Sequence, residues 1–146
     1  DINALLDTIA TDWGDTGHPI TITGHATSAY ATEPAMLRRA INNLVSNGIR
    51  YGQRVEISVI DSPTLLRIRI RDHGPGIPEA DRDRVFEPFV RLEPSRNRDS
   101  GGTGIGMAIS RNIARWHNGD VHLSNAPTGG LIAEITLPRK PANGRK

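Results

Sequence analysis

The chain has 146 residues, 18 of them basic and 16 acidic, for a formal net charge of +2, and it has no cysteine. That length suits one domain with a core of its own, and the missing cysteines exclude disulfides and thiolate metal sites and fit a reducing compartment. The mild charge argues against a nucleic-acid binder, and no apolar run reaches the roughly 18 residues of a membrane span.

The opening "DINALL" carries neither an initiator Met nor a signal peptide, so the chain reads as a piece of something longer. In "INALLDTIATDWG" the apolar residues Ile2, Leu5, Leu6, Ile9 and Trp13 recur at helical spacing, and Gly14 ends the stripe. "HPITITG" and "SAYATE" read as short strands. Glu33-Pro34 opens a second helix with proline in its first turn; Leu37, Ala40, Ile41, Leu44, Val45 and Gly48 then keep the helical period until Gly52. "RVEISVI" and "LLRIRIRD" alternate cleanly about Asp61-Ser62-Pro63-Thr64, which predicts an antiparallel hairpin.

"HGPGIP" is too rich in glycine and proline for regular structure, "EADRDRVFEPFVR" holds a short helical turn, and Leu92 to Thr103 is a polar loop. From Gly104 a third helix carries Ile105, Ala108, Ile109, Ile113 and Trp116 on one side and closes near Asn118-Gly119. "DVHLSN" and "GLIAEITLP" make a final hairpin. The predicted fold class is α+β, a mixed and mostly antiparallel sheet with helices on one face. Residues 1–138 form the domain and 139–146 a basic, disordered tail.

Three features place polarity where a plain core would not. Period two puts Asp72 on the same strand face as Leu66, Ile68 and Ile70, where a carboxylate is costly unless a donor meets it. It either caps the next turn or waits in a pocket for a ligand donor such as an adenine amino group. Asn43, Asn47 and Arg50 line up on the second helix beside its apolar face. They form either a solvated stripe or a site where an amide oxygen meets Mg²⁺ and the guanidinium a phosphate. The third feature is glycine. "DHGPGIP" and "GGTGIG" are either two flexible turns or places where backbone comes close to a ligand. "GGTGIG" satisfies neither a Walker loop nor a dinucleotide fingerprint, because both fail at Met107.

The order of these features, Asn-x-x-x-Asn, Asp-x-Gly-x-Gly, two phenylalanines and Gly-Thr-Gly-x-Gly, resembles the catalytic ATP-binding domain of sensor histidine kinases. "NLVSNGIRYG" looks like that family's N box, "DHGPGIP" its G1 box, "RVFEPFVR" its F box and "GGTGIGMAI" its G2 box. "FEPFVRLEPSRNRDSGGTG" is most similar to the EnvZ-like osmosensor and envelope-stress branch.

The resemblance implies a Bergerat (GHKL) fold, a two-layer α/β sandwich with three helices on one face of the sheet. It implies ATP and Mg²⁺ as cofactors, with Asn47 on the metal, Asn43 lining the same site and Arg50 on phosphate, the three forming the catalytic set. Tyr51 would lie near the adenine, Asp72 would accept from its amino group, and Gly74, Gly76 and Ile77 would shape that wall. Phe86 and Phe89 would anchor a lid at about 92–103, from which Arg96 or Arg98 would reach the terminal phosphate. Gly102, Thr103, Gly104, Ile105 and Gly106 would pass close to the phosphates. Gly48 stands where the family usually has alanine, which should loosen the helix by up to about 1 kcal/mol. Ile132 replaces a hydroxyl residue often found there.

ATP-hydrolysing relatives of the Hsp90, gyrase and MutL kind carry a glutamate four residues before the metal-binding asparagine, as general base on water. Here that position is Asn43, which takes no proton, and losing a general base costs about 10²–10⁴ in rate. The implied acceptor is a histidine on a dimerisation domain, usually within His-Glu-x-x-Pro. None of His18, His25, His73, His117 or His122 has that context, so the acceptor would lie outside this chain. The implied partners are that domain and a response regulator, without nucleic acid and without membrane insertion by these residues. The implied location is a cytoplasmic domain of a parent anchored in the bacterial inner membrane. The alternatives are an ATPase, an anti-sigma-like serine kinase, or a nucleotide-binding interaction module.

Overall fold

The computed structural model describes residues 1–52, 54–76, 78, 80 and 106–139. Helix α1 (Ile2–Asp15) starts at Asp1, whose carboxylate accepts from the backbone N–H groups of Asn3 and Ala4 at 2.9 and 3.3 Å. Those are two of the donors that a helix start leaves without partners. Strand β1 (Ile20–Thr23) follows, then α2 (Pro34–Gly52) with proline in its first turn, where its missing N–H loses nothing. The hairpin β2 (Val55–Asp61) and β3 (Leu65–Asp72) comes next, then α3 (Gly106–Trp116), β4 (Asp120–Asn125) and β5 (Leu131–Pro138).

The strands form one 5-stranded sheet in the order β1-β2-β3-β5-β4. β1 runs parallel to β2, and every other pair is antiparallel. The α+β class, the mixed sheet and both hairpins therefore stand as the sequence predicts. Alternation decides which side is core. Val55, Ile57 and Val59 of β2, Leu66, Ile68 and Ile70 of β3, and Leu131, Ala133, Ile135 and Leu137 of β5 are all buried. From α2, Leu37, Ala40, Ile41, Leu44 and Val45 close over them, joined by Ile2, Leu6 and Ile9 of α1.

Two expectations are corrected. "SAYATE" is not a strand: the carbonyls of Ser28 and Ala29 accept from the Arg139 guanidinium at 3.0 Å each, and Tyr30 donates to the Pro138 carbonyl at 2.9 Å. Side-chain bonds from the far end of the chain replace a ladder. The apolar stripe assigned to α3 is also turned. Trp116 is 74% exposed, whereas Met107, Ser110, Ile113 and Ala114 face inward. Ser110, fully buried, is tolerated because its hydroxyl donates to the Ala40 carbonyl at 2.7 Å and ties α3 to α2.

Ion pairs fasten the edges away from the site. Arg139 meets Asp61 at 2.9 Å with both side chains largely buried, at the end of the sheet opposite Asp72. That hydrogen bond holds the Asp61 carboxyl below the usual range; burial opposes it, and the backbone and hydroxyl of Thr27 help. Asp120 at the start of β4 is clamped by Arg111 and Arg115 of α3. Burial alone would push Asp120 up. Its bonds from Arg111, the Val121 backbone and Arg115, with the charge of Arg111, outweigh that and hold it far below the carboxylate range.

Candidate nucleotide site

Asp72 is the last residue of β3 and sits opposite Val55, the first residue of β2. It is 5% exposed, as the period of two requires. Oδ1 accepts two backbone donors, Gly74 N–H at 2.9 Å and Leu131 N–H at 3.0 Å. Oδ2 has no hydrogen-bond partner among the described residues. The turn-cap alternative holds for Oδ1. One oxygen caps a turn, and the other is an acceptor left open in a nearly buried carboxylate, which water or a ligand must satisfy.

The rest of the site comes from α2. Gly48 and Gly52 face Asp72: a β-carbon at Gly48 would stand 3.4 Å from Asp72 Cβ, and one at Gly52 would stand 2.6 Å from it. At Gly48 the added carbon would also approach the Val55 methyl to 2.9 Å, so here the residue expected to loosen the helix also lets α2 lie close against β2. Asn43, one turn before Asn47, meets the start of α3, since a β-carbon on Gly106 would lie 3.7 Å from Asn43 Cβ and Cγ. Asn43 and Asn47 are half-buried, and neither carboxamide has a hydrogen-bond partner among the described residues. Arg50, half-buried, follows on the same helix.

Two elements that begin and end far apart in the chain therefore converge. The C-terminal half of α2 brings Asn43 against Gly106, the first residue of α3, and Gly48 and Gly52 against Asp72 at the end of β3. The N-terminus of a helix carries free N–H groups and the positive end of its dipole, a setting that suits an anion. Gly76 has φ +77, and a side chain there would collide with Asn125, the last residue of β4. Asn125 thus backs the glycine loop after β3. The sequence did not single it out; an asparagine before the turn "APTGG" carries no signal beyond strand end.

The remaining site expectations, Ile77, Phe86, Phe89, Arg96, Arg98, Gly102, Thr103, Gly104 and Ile105, and the side chain of Tyr51, lie outside the described residues. The lid at 92–103 lies there too, as do residues 140–146 of the tail expected to be disordered from 139; its first residue, Arg139, is instead held by Asp61 and the carbonyls of Ser28 and Ala29. Among the described residues no group of three His, Cys, Asp or Glu side chains gathers as a metal site. His117 and His73 have structural neighbours. His117 lies between Thr32 (2.5 Å) and the Ile113 carbonyl (2.8 Å), and His73 faces Glu56 at 3.3 Å.

The family described as histidine kinase-, DNA gyrase B-, and HSP90-like ATPase matches residues 32–141. Among curated proteins, the chain is 39% identical over 139 residues to the sensor histidine kinase GtrS of Pseudomonas aeruginosa, covering 95% of this chain and 28% of that protein. It is 38% identical over 106 residues to the sensor histidine kinase CpxA of Escherichia coli, covering 72% of this chain and 23% of that protein. The chain thus spans about a quarter of the length of these relatives. Among solved structures, the ATP-binding domain of PrrB from Mycobacterium tuberculosis superimposes with a TM-score of 0.75 at 29% identity, covering 96% of this chain and 95% of that one. The chain belongs to the histidine kinase-, DNA gyrase B- and HSP90-like ATPase family, and its curated relatives there are sensor histidine kinases.

Proposed function

We propose that this domain binds Mg·ATP and transfers the γ-phosphoryl group to a histidine on a dimerisation domain outside these residues, as one step of two-component signalling. The observation that carries the proposal is Asp72: a carboxylate 5% exposed, one oxygen held by two backbone N–H groups and the other without a partner among the described residues. An adenine amino group supplies the donor that this oxygen lacks. A hydrogen bond to a charged acceptor is worth about 1.5–3 kcal/mol, enough to favour a base with an amino group there.

The phosphates then run toward Asn43, Asn47 and Arg50. Mg²⁺ takes oxygen ligands and retains waters and phosphate oxygens, so a carboxamide with no hydrogen-bond partner among the described residues could offer it one oxygen. When bound, the metal neutralises charge that develops on the phosphoryl group. The chain's own residues bind and orient: Asp72 fixes the base, Asn47 the metal side of the triphosphate, and Arg50 a phosphate. Phe89 and the segment 92–103, with Arg96 or Arg98, would close over the terminal phosphate, and Gly102 to Gly106 would line it. Asn43 takes no proton from water, so hydrolysis lacks its base and the favoured acceptor is a nucleophile delivered from outside. The response regulator and the membrane-anchored parent belong to the same proposal.

Steady phosphate release distinguishes the outcomes. The domain alone with Mg·ATP should release little phosphate, and rapid release would point to an ATPase instead.

A further inference from the structure

We propose that Gly52 and Gly130 are positioning residues that hold Asp72 with a single oxygen facing the base, and that they thereby set the preference for a 6-aminopurine nucleotide. The inference rests on the nucleotide reading above and goes beyond it to what determines base selectivity.

Asp72 is fixed from two sides by elements that bring no side chain. On one side, a β-carbon at Gly52, the last residue of α2, would stand 2.6 Å from Asp72 Cβ, 2.6 Å from His73 N and 2.8 Å from Gly74 N. Gly74 N–H is one of the two donors to Oδ1. On the other side, a β-carbon at Gly130 would overlap the Asp72 carbonyl oxygen and stand 3.2 Å from His73 Cα. Gly130 has φ +94, and the residue after it, Leu131, is the second donor to Oδ1. Each glycine is therefore the close neighbour of one of the two bonds that orient the carboxylate.

A side chain at position 52 has no far end of a flexible neighbour to push aside; it meets Asp72 Cβ and the backbone nitrogens of His73 and Gly74. The exit of β3 must move away from α2 and take the Gly74 N–H with it. The carboxylate then loses one of its two fixing bonds and turns, and a hydrogen bond from the base weakens steeply with misalignment. Asn43 and Asn47 sit on earlier turns of α2 and keep their places, so recognition of the base separates from recognition of the phosphates.

The test compares, by calorimetry with Mg²⁺ present, ATP with purine riboside 5′-triphosphate, which lacks the 6-amino group. Wild type should prefer ATP by about tenfold or more, the equivalent of one hydrogen bond to a charged acceptor. Asp72→Asn should abolish that preference. Gly52→Ala should reduce it to about threefold or less while changing the affinity for the purine riboside nucleotide by less than about twofold. Gly130→Ala, whose β-carbon would overlap the Asp72 carbonyl oxygen, should lower the preference in the same direction, and it decides the matter if Gly52→Ala does not fold. A full ATP preference in the folded glycine variants overturns the proposal when Asp72→Asn has lost it. Equal loss of both nucleotides in Gly52→Ala, which marks damaged packing alone, overturns it too. An ATP preference that survives Asp72→Asn overturns the base reading itself.

Discussion

The backbone N–H of Leu131 donates to Asp72 Oδ1 at 3.0 Å, joining the first residue of β5 to the last residue of β3. This bond and its companion from Gly74 both engage Oδ1 and leave Oδ2 without a hydrogen-bond partner among the described residues. In Asp72→Asn the amide oxygen would keep both donors, and its NH₂ group would then stand where Oδ2 now does. An acceptor becomes a donor facing another donor. ATP affinity should fall by about 1–3 kcal/mol, measured by calorimetry, and unchanged affinity would leave Asp72 a turn cap only.

Asn47 is tested through the metal. Nucleotide affinity of the wild-type domain should rise when Mg²⁺ is added, because Asn47 would offer the ion a carboxamide oxygen. Asn47→Ala should lose most of that rise while binding nucleotide without metal about as well as before. A rise of wild-type size in the variant would remove the asparagine stripe from the site.

The Asp61–Arg139 pair predicts an acid-sensitive fold. The folded carboxyl of Asp61 titrates below its unfolded value, first because of the Arg139 hydrogen bond, and Asp120 behaves likewise. The unfolded chain therefore takes up more protons as the pH drops. Stability is fully present above the ordinary carboxylate range and is lost as pH falls from about 5 toward the depressed folded values. Melting temperature measured across that range should fall, and Asp61→Asn should flatten the fall. At neutral pH, Asp61→Ala leaves the Arg139 guanidinium largely buried without its carboxylate and should cost about 3–5 kcal/mol in chemical denaturation. A variant as stable as wild type would show the pair to be incidental.

Ser110→Ala removes the buried tie from α3 to the Ala40 carbonyl. A net loss of about 0.5–1.5 kcal/mol is expected in the same denaturation assay. No loss would mean that apolar contacts alone hold α3 against α2.

The sequence made the sheet legible because burial in strands has a period of two. Leu66, Ile68 and Ile70 announced their face, and Asp72 was conspicuous only because it continued that face. The second helix was equally open, since Leu37 to Val45 keep one stripe. What escaped detection depends on partners distant in the chain. "SAYATE" has strand-like residues, yet Arg139, lying 110 residues beyond Ala29, takes its carbonyls. Trp116 extends an apolar period but sits at the end of α3, past the layer that buries Met107 and Ala114. Gly52 looked like a helix stop, and only the approach of His73 and Gly74 gives its missing side chain a role. Within the candidate site, residue type and order suggested Asn43, Asn47 and Asp72; the meeting of Asn43 with the start of α3 depends on how the helices lie on the sheet.

Phosphoryl transfer tests the central claim most directly. The domain is incubated with γ-labelled ATP and Mg²⁺ together with a separately supplied dimerisation domain carrying a His-Glu-x-x-Pro histidine, and the acid-labile label on that domain is counted. The account predicts label on the histidine, lost in Asn47→Ala. A domain that binds ATP tightly yet leaves the histidine unlabelled would contradict it.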